Sequence, residues 1–520
     1  MSSNANCQRP CPRSPANAAL LAILLGAVPL AEAATLHVDN TLAASCGTTY
    51  NPTTRSCSGG SAAGYRTLAE GLAAAQAGDT VLLRAGTYTE RLIPPRSGAA
   101  GAPITIRNYS GENPVLTGTS EPAIFLSGRS YLIIEGLRVD NVVGWGRLED
   151  SSHNIIRNNR FSRATSTGTT GGLKLVRSTY NKILANSFDD GNDSLVIQES
   201  DRNVVQDNAF TKARHSLFSL RCSSYNVIRG NSFNNPDQKA GEIYDCEGTS
   251  DAPVKLDATR YNLVESNRFT YTRAASTDYR YNGIQYSGQH GIVRRNVFYD
   301  NQGGGLNFQV YSQEALYNYG HRVYNNTFYN NRCYAVAASA SGTSSQYSNN
   351  RVKNNIFYRN AGCNGESAQI NIGNTSAVIL ENNAALTTSP SFVNEAGYDL
   401  RLGPASAMID AGAFVAQTAG AGSGTQMIVD DAGYFFDGHG IPGETGDLIQ
   451  LAGTTQTARV TAVNYAARTI TLNQPLTWTD RQGVHLAYSG SRPDMGAYEF
   501  SSGSATTPSP PANLRAAPAP

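Results

Sequence analysis

The chain has 520 residues, enough to bury a large core, and carries 41 Lys and Arg against 40 Asp and Glu, a formal charge of +1. That balance argues against a nucleic-acid partner, which usually demands a basic stripe. It leaves a carbohydrate partner open, because local charge clusters matter there more than totals.

Residues 1–33 read as an export signal. Arg9 and Arg13 precede an apolar run over 18–30 that is too short to span a membrane, and Ala31, Glu32 and Ala33 close it in a small-x-small pattern. No later stretch is apolar enough to cross a bilayer, so the mature chain is expected to be secreted or periplasmic, without a membrane segment. Cys7 and Cys11 leave with the signal, and Cys46, Cys57, Cys222, Cys246, Cys333 and Cys363 remain. An even count in an exported chain points to disulfides, and the neighbour pairing 46–57, 222–246 and 333–363 is the one expected among the possible connectivities. None of the spacings is zinc-like.

Thr67-Leu-Ala-Glu70 is a capping box that opens a short helix, ended near Gly78. This helix would plug the open end of a core, and the strand Asp79-Thr-Val-Leu-Leu-Arg-Ala-Gly-Thr-Tyr88 follows it directly. A phrase then recurs: a polar residue, two β-formers, two or three polar residues and Asn-x-Phe. Its asparagines are Asn159, Asn186, Asn208, Asn231, Asn267, Asn296, Asn326 and Asn355, with phenylalanines two positions later from Phe161 to Phe357. Steps of 22 to 36 residues between them are those of a solenoid with one repeat per turn. Asn suits the bend because it tolerates left-handed backbone and bonds its neighbours. Stacked turns would set these amides in a ladder and the phenylalanines in an inward column.

The phrase "AGDTVLLRAGTY" at 77–88, with Ser406-Ala-Met-Ile-Asp-Ala-Gly412 and Arg492-Pro-Asp-Met-Gly-Ala-Tyr-Glu-Phe500, resembles the pectin-lyase-like proteins. The resemblance implies an all-β right-handed parallel β-helix over 34–415. Residues 416–490 have another texture: Ala458-Arg-Val-Thr-Ala-Val463 and Arg468-Thr-Ile-Thr-Leu472 alternate like a hairpin joined at Asn464. They are read as an inserted small β subdomain beside the last turns. Residues 491–500 would add a closing strand, and the Ser/Pro/Ala-rich stretch 501–520 a disordered tail.

Chemistry is sought on the strand before each phrase. Leu173/Leu175, Leu195/Ile197, Phe218/Leu220 and Val254/Leu256 face inward, which sends Lys174/Val176, Val196/Gln198, Ser219/Arg221 and Lys255/Asp257 outward. Later strands add Gln285, Asn307, Gln309 and Tyr311. A face lined with Lys, Arg, Gln, Asn and Tyr suits an extended, acidic, hydroxyl-rich chain, although an ordinary solvated sheet reads the same way. Around the oversized turn at 212–260 cluster Arg214, His215, Arg221, Glu242, Tyr244, Asp245, Glu247, Lys255 and Asp257. Matching Cys222 to Cys246 would set Arg221 beside Asp245, with Lys255 and Asp257 on an excursion over the groove.

This layout resembles the polysaccharide lyases of the chondroitinase B and alginate lyase type, Arg221 standing where that family has its catalytic Arg. Gln198-Glu199 stands where the family carries its Lys, and the acidic metal pair upstream of it is missing. The resemblance implies β-elimination on a uronate, in which the carboxylate is neutralised while a base takes the adjacent proton. Arg221 is the candidate neutraliser, with Lys255 or His215 as base. Lys174, Gln198, Arg214, Tyr244, Asp257, Gln285, Asn307, Gln309 and Tyr311 are candidate substrate contacts. Glu242, Asp245 and Glu247 have the hard oxygens that Ca²⁺ takes, or they simply pair with Arg221 and Lys239. The expected partner is an extended polysaccharide and the expected state a monomer. Two other readings stay open: a glycoside hydrolase using two of Glu242, Asp245, Glu247 and Asp257, and a non-catalytic carbohydrate-binding solenoid.

Overall fold

The computed structural model describes residues 33–168, 171–244, 259–272, 282–309, 318–338, 347–363, 367–372 and 378–501. The stretches expected to be an export signal and a tail fall almost wholly outside them. Among the described residues no helix is long and apolar enough to cross a membrane.

Parallel strands wind into three stacked ladders, the arrangement of a right-handed parallel β-helix. One face is a sheet that runs from Thr80–Leu83 through Lys182–Leu184 to Val378–Glu381. The second face carries the strands that hold the phrase phenylalanines, such as Arg160–Ala164 and Arg268–Thr270. The third carries Gly146–Glu149, Leu173–Val176, Leu195–Gln198, Lys239–Tyr244, Ile284–Tyr286 and Leu306–Phe308. Ala209–Arg221 bends from the second face onto the third as one strand.

Register is held from inside. Phe161, Phe188, Phe210, Phe233, Phe269, Phe298, Phe328 and Phe357 are paired turn by turn and fully buried. Their ring centroids follow one another at 4.9, 4.6, 4.9, 5.0, 4.8, 4.6 and 5.3 Å. Beside them, from Asn186 onward, the Oδ1 of each phrase Asn accepts from both the backbone N–H and the Nδ2 of the Asn one turn earlier, as in Asn186 to Asn208 at 2.8 and 3.0 Å. A second ladder of the same kind joins Asn154, Asn181, Asn203, Asn226 and Asn262.

The ladder asparagines themselves are not left-handed. The residue before each one is, whatever its type: Asn158, Ala185, Asp207, Ser266 and Arg295 all have φ between 52 and 57°. Non-glycine residues pay about 1–2 kcal/mol for that backbone. The hydrogen bonds of the following Asn hold the bend and offset the cost.

Helix Leu68–Ala74 closes the N-terminal end, with Thr67 and Glu70 forming the reciprocal capping box and Leu68 and Leu72 buried against the core. It ends at Ala75, which is extended, ahead of Gly78. Disulfides join Cys46 to Cys57 and Cys333 to Cys363. The expected partner of Cys222, Cys246, lies outside the described residues.

Residues 416–486 form a six-stranded antiparallel sheet in which Thr457–Asn464 and Thr469–Trp478 make the central hairpin. It packs on the middle of the first face, where the outward residues Val204, Val227, Leu263 and Ile292 are apolar and join its core. A buried ion network fastens it: Arg294 bonds both oxygens of Asp447 at 2.7 and 2.6 Å and also Glu265, while Arg229 bridges Glu265 and Glu444. Residues 491–500 correct one expectation, because they form no strand. Pro493 and Gly496 interrupt any ladder, and the segment is held by single bonds, from Ala497 N–H to Thr327 Oγ1 and from Gly496 N–H to the Asn354 carbonyl.

The amide ladder predicts a specific loss. Asn208 is fully buried, and Asn208→Ala would leave the Asn186 amides without their acceptor. Stranded buried donors cost about 1–3 kcal/mol each. Urea unfolding should therefore show this variant at least about 2 kcal/mol less stable than an exposed-face control such as Gln206→Ala.

Candidate acid–base site on the third face

The oversized turn decides which residues meet. Phe218, Leu220 and Arg221 pair with Gly241, Ile243 and Tyr244. Arg221 therefore lies beside Tyr244 and not beside Asp245, one residue from the register that the cysteines suggested. The core enforces this alignment. Leu220 and Ile243 both face inward, and a one-residue slip would turn Ile243 out to solvent. Gly241 sits opposite the Phe218 ring, where a Cβ would come within 2.3 Å of a ring carbon. The next strand is thus Lys239–Tyr244, and Val254 to Asp257 lie outside the described residues.

In this register Asp193, Ser216 and Lys239 align on three successive turns, and Ser219, Glu242, Gln285 and Asn307 form the neighbouring column. The strand bulges between Ala213 and Ser216, which places His215 between the columns. Its Nδ1 lies 2.7 Å from Asp193 Oδ1, an oxygen that also accepts from Ser216 Oγ at 2.7 Å. Its Nε2 faces Glu242 Oε1 at 3.7 Å, beyond hydrogen-bond length. Lys239 Nζ donates to that same Glu242 oxygen at 2.5 Å. Arg221 donates from Nε to Ser219 Oγ at 3.2 Å and spreads its guanidinium over the Tyr244 ring at 5.3 Å.

Asp193 and Glu242 are buried, whereas His215 retains 30 % of its side-chain exposure and Arg221 and Tyr244 are half-buried. The Asp193 bond raises the His215 pKa above its ordinary 6.5, against desolvation and with help from Glu242. Burial alone would raise the Asp193 carboxyl, but His215, Ser216 and Arg221 hold it below the usual range. A buried carboxylate that fixes a partly exposed imidazole by one nitrogen is a proton-transfer device.

Other candidates separate from this cluster. Arg214 points away, its Nη2 donating to the Ala164 and Ser166 carbonyls at 2.9 Å. Lys174, Gln198, Gln285, Asn307 and Gln309 are each at most 5 % exposed, and Asn307 Nδ2 donates to Gln309 Oε1 at 2.6 Å. The expected polar column is there, but as buried structure, so these five line no open groove. Asp245, Glu247, Lys255, Asp257 and Tyr311 lie outside the described residues. Glu242, the described member of the expected Ca²⁺ set, already carries the Lys239 ammonium. Asp193 escaped the sequence reading because it ends the strand Ser187–Asp193, two residues before the strand Leu195–Gln198 on which chemistry was sought. Its signal was available: Asp193, Ser216 and Lys239 share a register once the Leu and Ile columns are aligned.

Titration checks this geometry. The His215 ring resonances should shift with a midpoint above 6.5. Because its pKa is raised on folding, the pairing stabilises fully below the unfolded value and is lost as pH rises through the folded one. His215→Gln should therefore destabilise the protein more at pH ~6 than at pH ~9 in matched thermal melts. Equal loss at both values would contradict a charged pair.

A sequence model described as a right handed beta helix region matches residues 122–251 and 171–351. The uncharacterised protein YwoF of Bacillus subtilis (strain 168) is 29% identical over 325 residues, 57% of this chain and 64% of its own length. The chain thus spans less than two thirds of that relative. Among solved structures, the PL6 family alginate lyase AlyGC matches 61% of this chain and 50% of its own, at 16% identity and a TM-score of 0.41. The pectate lyase Pel9A matches 90% and 98%, at 15% identity and a TM-score of 0.41. The GH136 lacto-N-biosidase from Eubacterium ramulus matches 67% of each chain, at 11% identity and a TM-score of 0.45. The matched repeat region and the parallel register agree: the chain is a right-handed parallel β-helix, the fold that its likeness to pectin-lyase-like proteins implied.

Proposed function

We propose that this protein is an exported, monomeric enzyme that cleaves a uronate-containing polysaccharide by β-elimination. The observation that carries the reading is the partly exposed His215, fixed by buried Asp193, with Arg221 further along the same strand and acting electrostatically on that Asp193. Elimination needs just such a pair, a cation on the carboxylate and a base at the neighbouring carbon.

In this reading Arg221 binds the uronate carboxylate and makes the C5 proton more acidic. Unprotonated His215 takes that proton on Nε2. The C5–H electron pair forms the C4–C5 double bond, the C4–O bond breaks, and the leaving oxygen regains a proton from His215. No water is consumed, and the product carries an unsaturated uronate end. Tyr244, under the guanidinium, positions Arg221. Lys255 remains a second candidate for the base, and Asp257 and Tyr311 candidates for shaping the binding surface.

A hydrolase would need an accessible carboxylic acid at the bond. Glu242, the described candidate for that role, is fully buried and paired with Lys239, which does not suit it to that task. The reading predicts that ultraviolet absorbance near the unsaturated-uronate band rises when the mature protein meets alginate, pectate or a glycosaminoglycan, with shortening of the chains. Arg221→Ala should lower this rate at least ~100-fold, the scale of a lost electrostatic stabiliser, with the fold intact by circular dichroism. New reducing ends without absorbance would replace elimination by hydrolysis, and binding without either would replace both by a recognition role.

A further inference from the structure

Of the expected Ca²⁺ set Glu242, Asp245 and Glu247, Glu242 alone lies among the described residues, and the described side chains around it do not fit Ca²⁺. Ca²⁺ takes six to eight oxygens. The nearest candidate set is Asp193, His215 and Glu242, whose ligand atoms all lie within 4.8 Å of one another. One of the three is a nitrogen, and its ring shares a hydrogen bond with Asp193 Oδ1, which already accepts a second from Ser216. Glu242 Oε1 is taken by Lys239 at 2.5 Å. Charge leads to the same result. Two carboxylates, Asp193 and Glu242, are met by two permanent cations, Lys239 on Glu242 and Arg221 acting on Asp193, before His215 takes a proton.

We propose that the Lys239 ammonium is the resident cation of this face, tethered in the place where a divalent ion would otherwise sit. Two observations beyond the acidic cluster support it. Lys239 holds Glu242 from three residues away on the same strand, with only 10 % of its side chain exposed, so the ammonium is built into the sheet and is not a solvent-facing partner. Glu242 Oε2 is buried without any hydrogen-bond partner, an unused hard oxygen that a cation would claim. A buried carboxylate left without its countercharge is costly enough to bind one from solution. Removing the ammonium therefore converts the cluster into a site for a divalent cation, with Glu242 and Asp193 as oxygen donors and His215 as the nitrogen donor.

The inference concerns metal binding and stands or falls independently of the elimination reading. It is tested by calorimetric titration of the whole mature protein with CaCl₂ and with MnCl₂. The wild-type protein and Glu242→Gln should give the same isotherm for either ion. Lys239→Met should bind at least one of the two at least tenfold more tightly than wild type, and Lys239→Met/Glu242→Gln should lose that gain. The double variant removes both charges together, so it keeps the comparison valid if the single variant is too unstable to titrate; a Lys239→Gln variant then carries the gain-of-binding arm. Wild-type Ca²⁺ binding that disappears in Glu242→Gln would overturn the proposal. So would a folded Lys239 variant that gains no affinity for either ion.

Discussion

The amide ladder inside the turns is the constraint on which the rest depends. Each rung bonds one Asn to the backbone and the side chain of the Asn one turn away, at a site closed to water. Register can then shift only by breaking several buried bonds together, each of which is expensive to leave unmade. With the rung fixed, the phenylalanine two residues later must stack, and the Leu and Ile columns of the third face must point inward. Every outward side chain inherits its neighbours from that alignment. The proposed acid–base cluster is such an inheritance: Asp193, His215 and Glu242 come from three turns and meet because the rungs beneath them are in step.

This explains what could be read from the sequence. The fold was legible because the phrase repeats with its Phe at constant offset, and the capping box marked where the core ends. The site was less legible because it lies at the one turn whose length departs most, where Cys222 and Cys246 offered a register that differs by one residue from the structure. Phe218 opposite Gly241 and Leu220 opposite Ile243 settle the register by core packing. Arg221 and His215 were recognised as candidates from residue type. Asp193 was not, since nothing in Gly191-Asn-Asp193 marks a carboxylate until the turns are stacked. The groove expectation failed in a different way: alternation gave the correct facing of Lys174, Gln285 and Asn307 but cannot report depth, and all three are buried.

The inserted sheet shows the same logic on another face. Outward positions of the first sheet are expected to be polar, yet Val204, Val227, Leu263 and Ile292 are consecutive and apolar. The run is readable as a docking stripe once the alternation is known. The ion network at its edge adds specificity of placement, since Arg294 would be a stranded buried charge without Asp447 and Glu265. The insertion thus braces the face away from the candidate site and leaves the third face to carry chemistry.

The central claim is that cross-turn register brackets His215 with two carboxylates that lie 49 residues apart in sequence, 193 and 242. The most direct measurement is the nuclear magnetic resonance titration midpoint of His215 in Asp193→Asn, in Glu242→Gln and in the double variant. The account predicts that each single change lowers the midpoint, Asp193→Asn by more because it removes the hydrogen bond, and that the double variant lies lowest. A midpoint unmoved by Glu242→Gln in a folded protein would mean that the turns are not stacked in this register, and the proposed site would not exist as described.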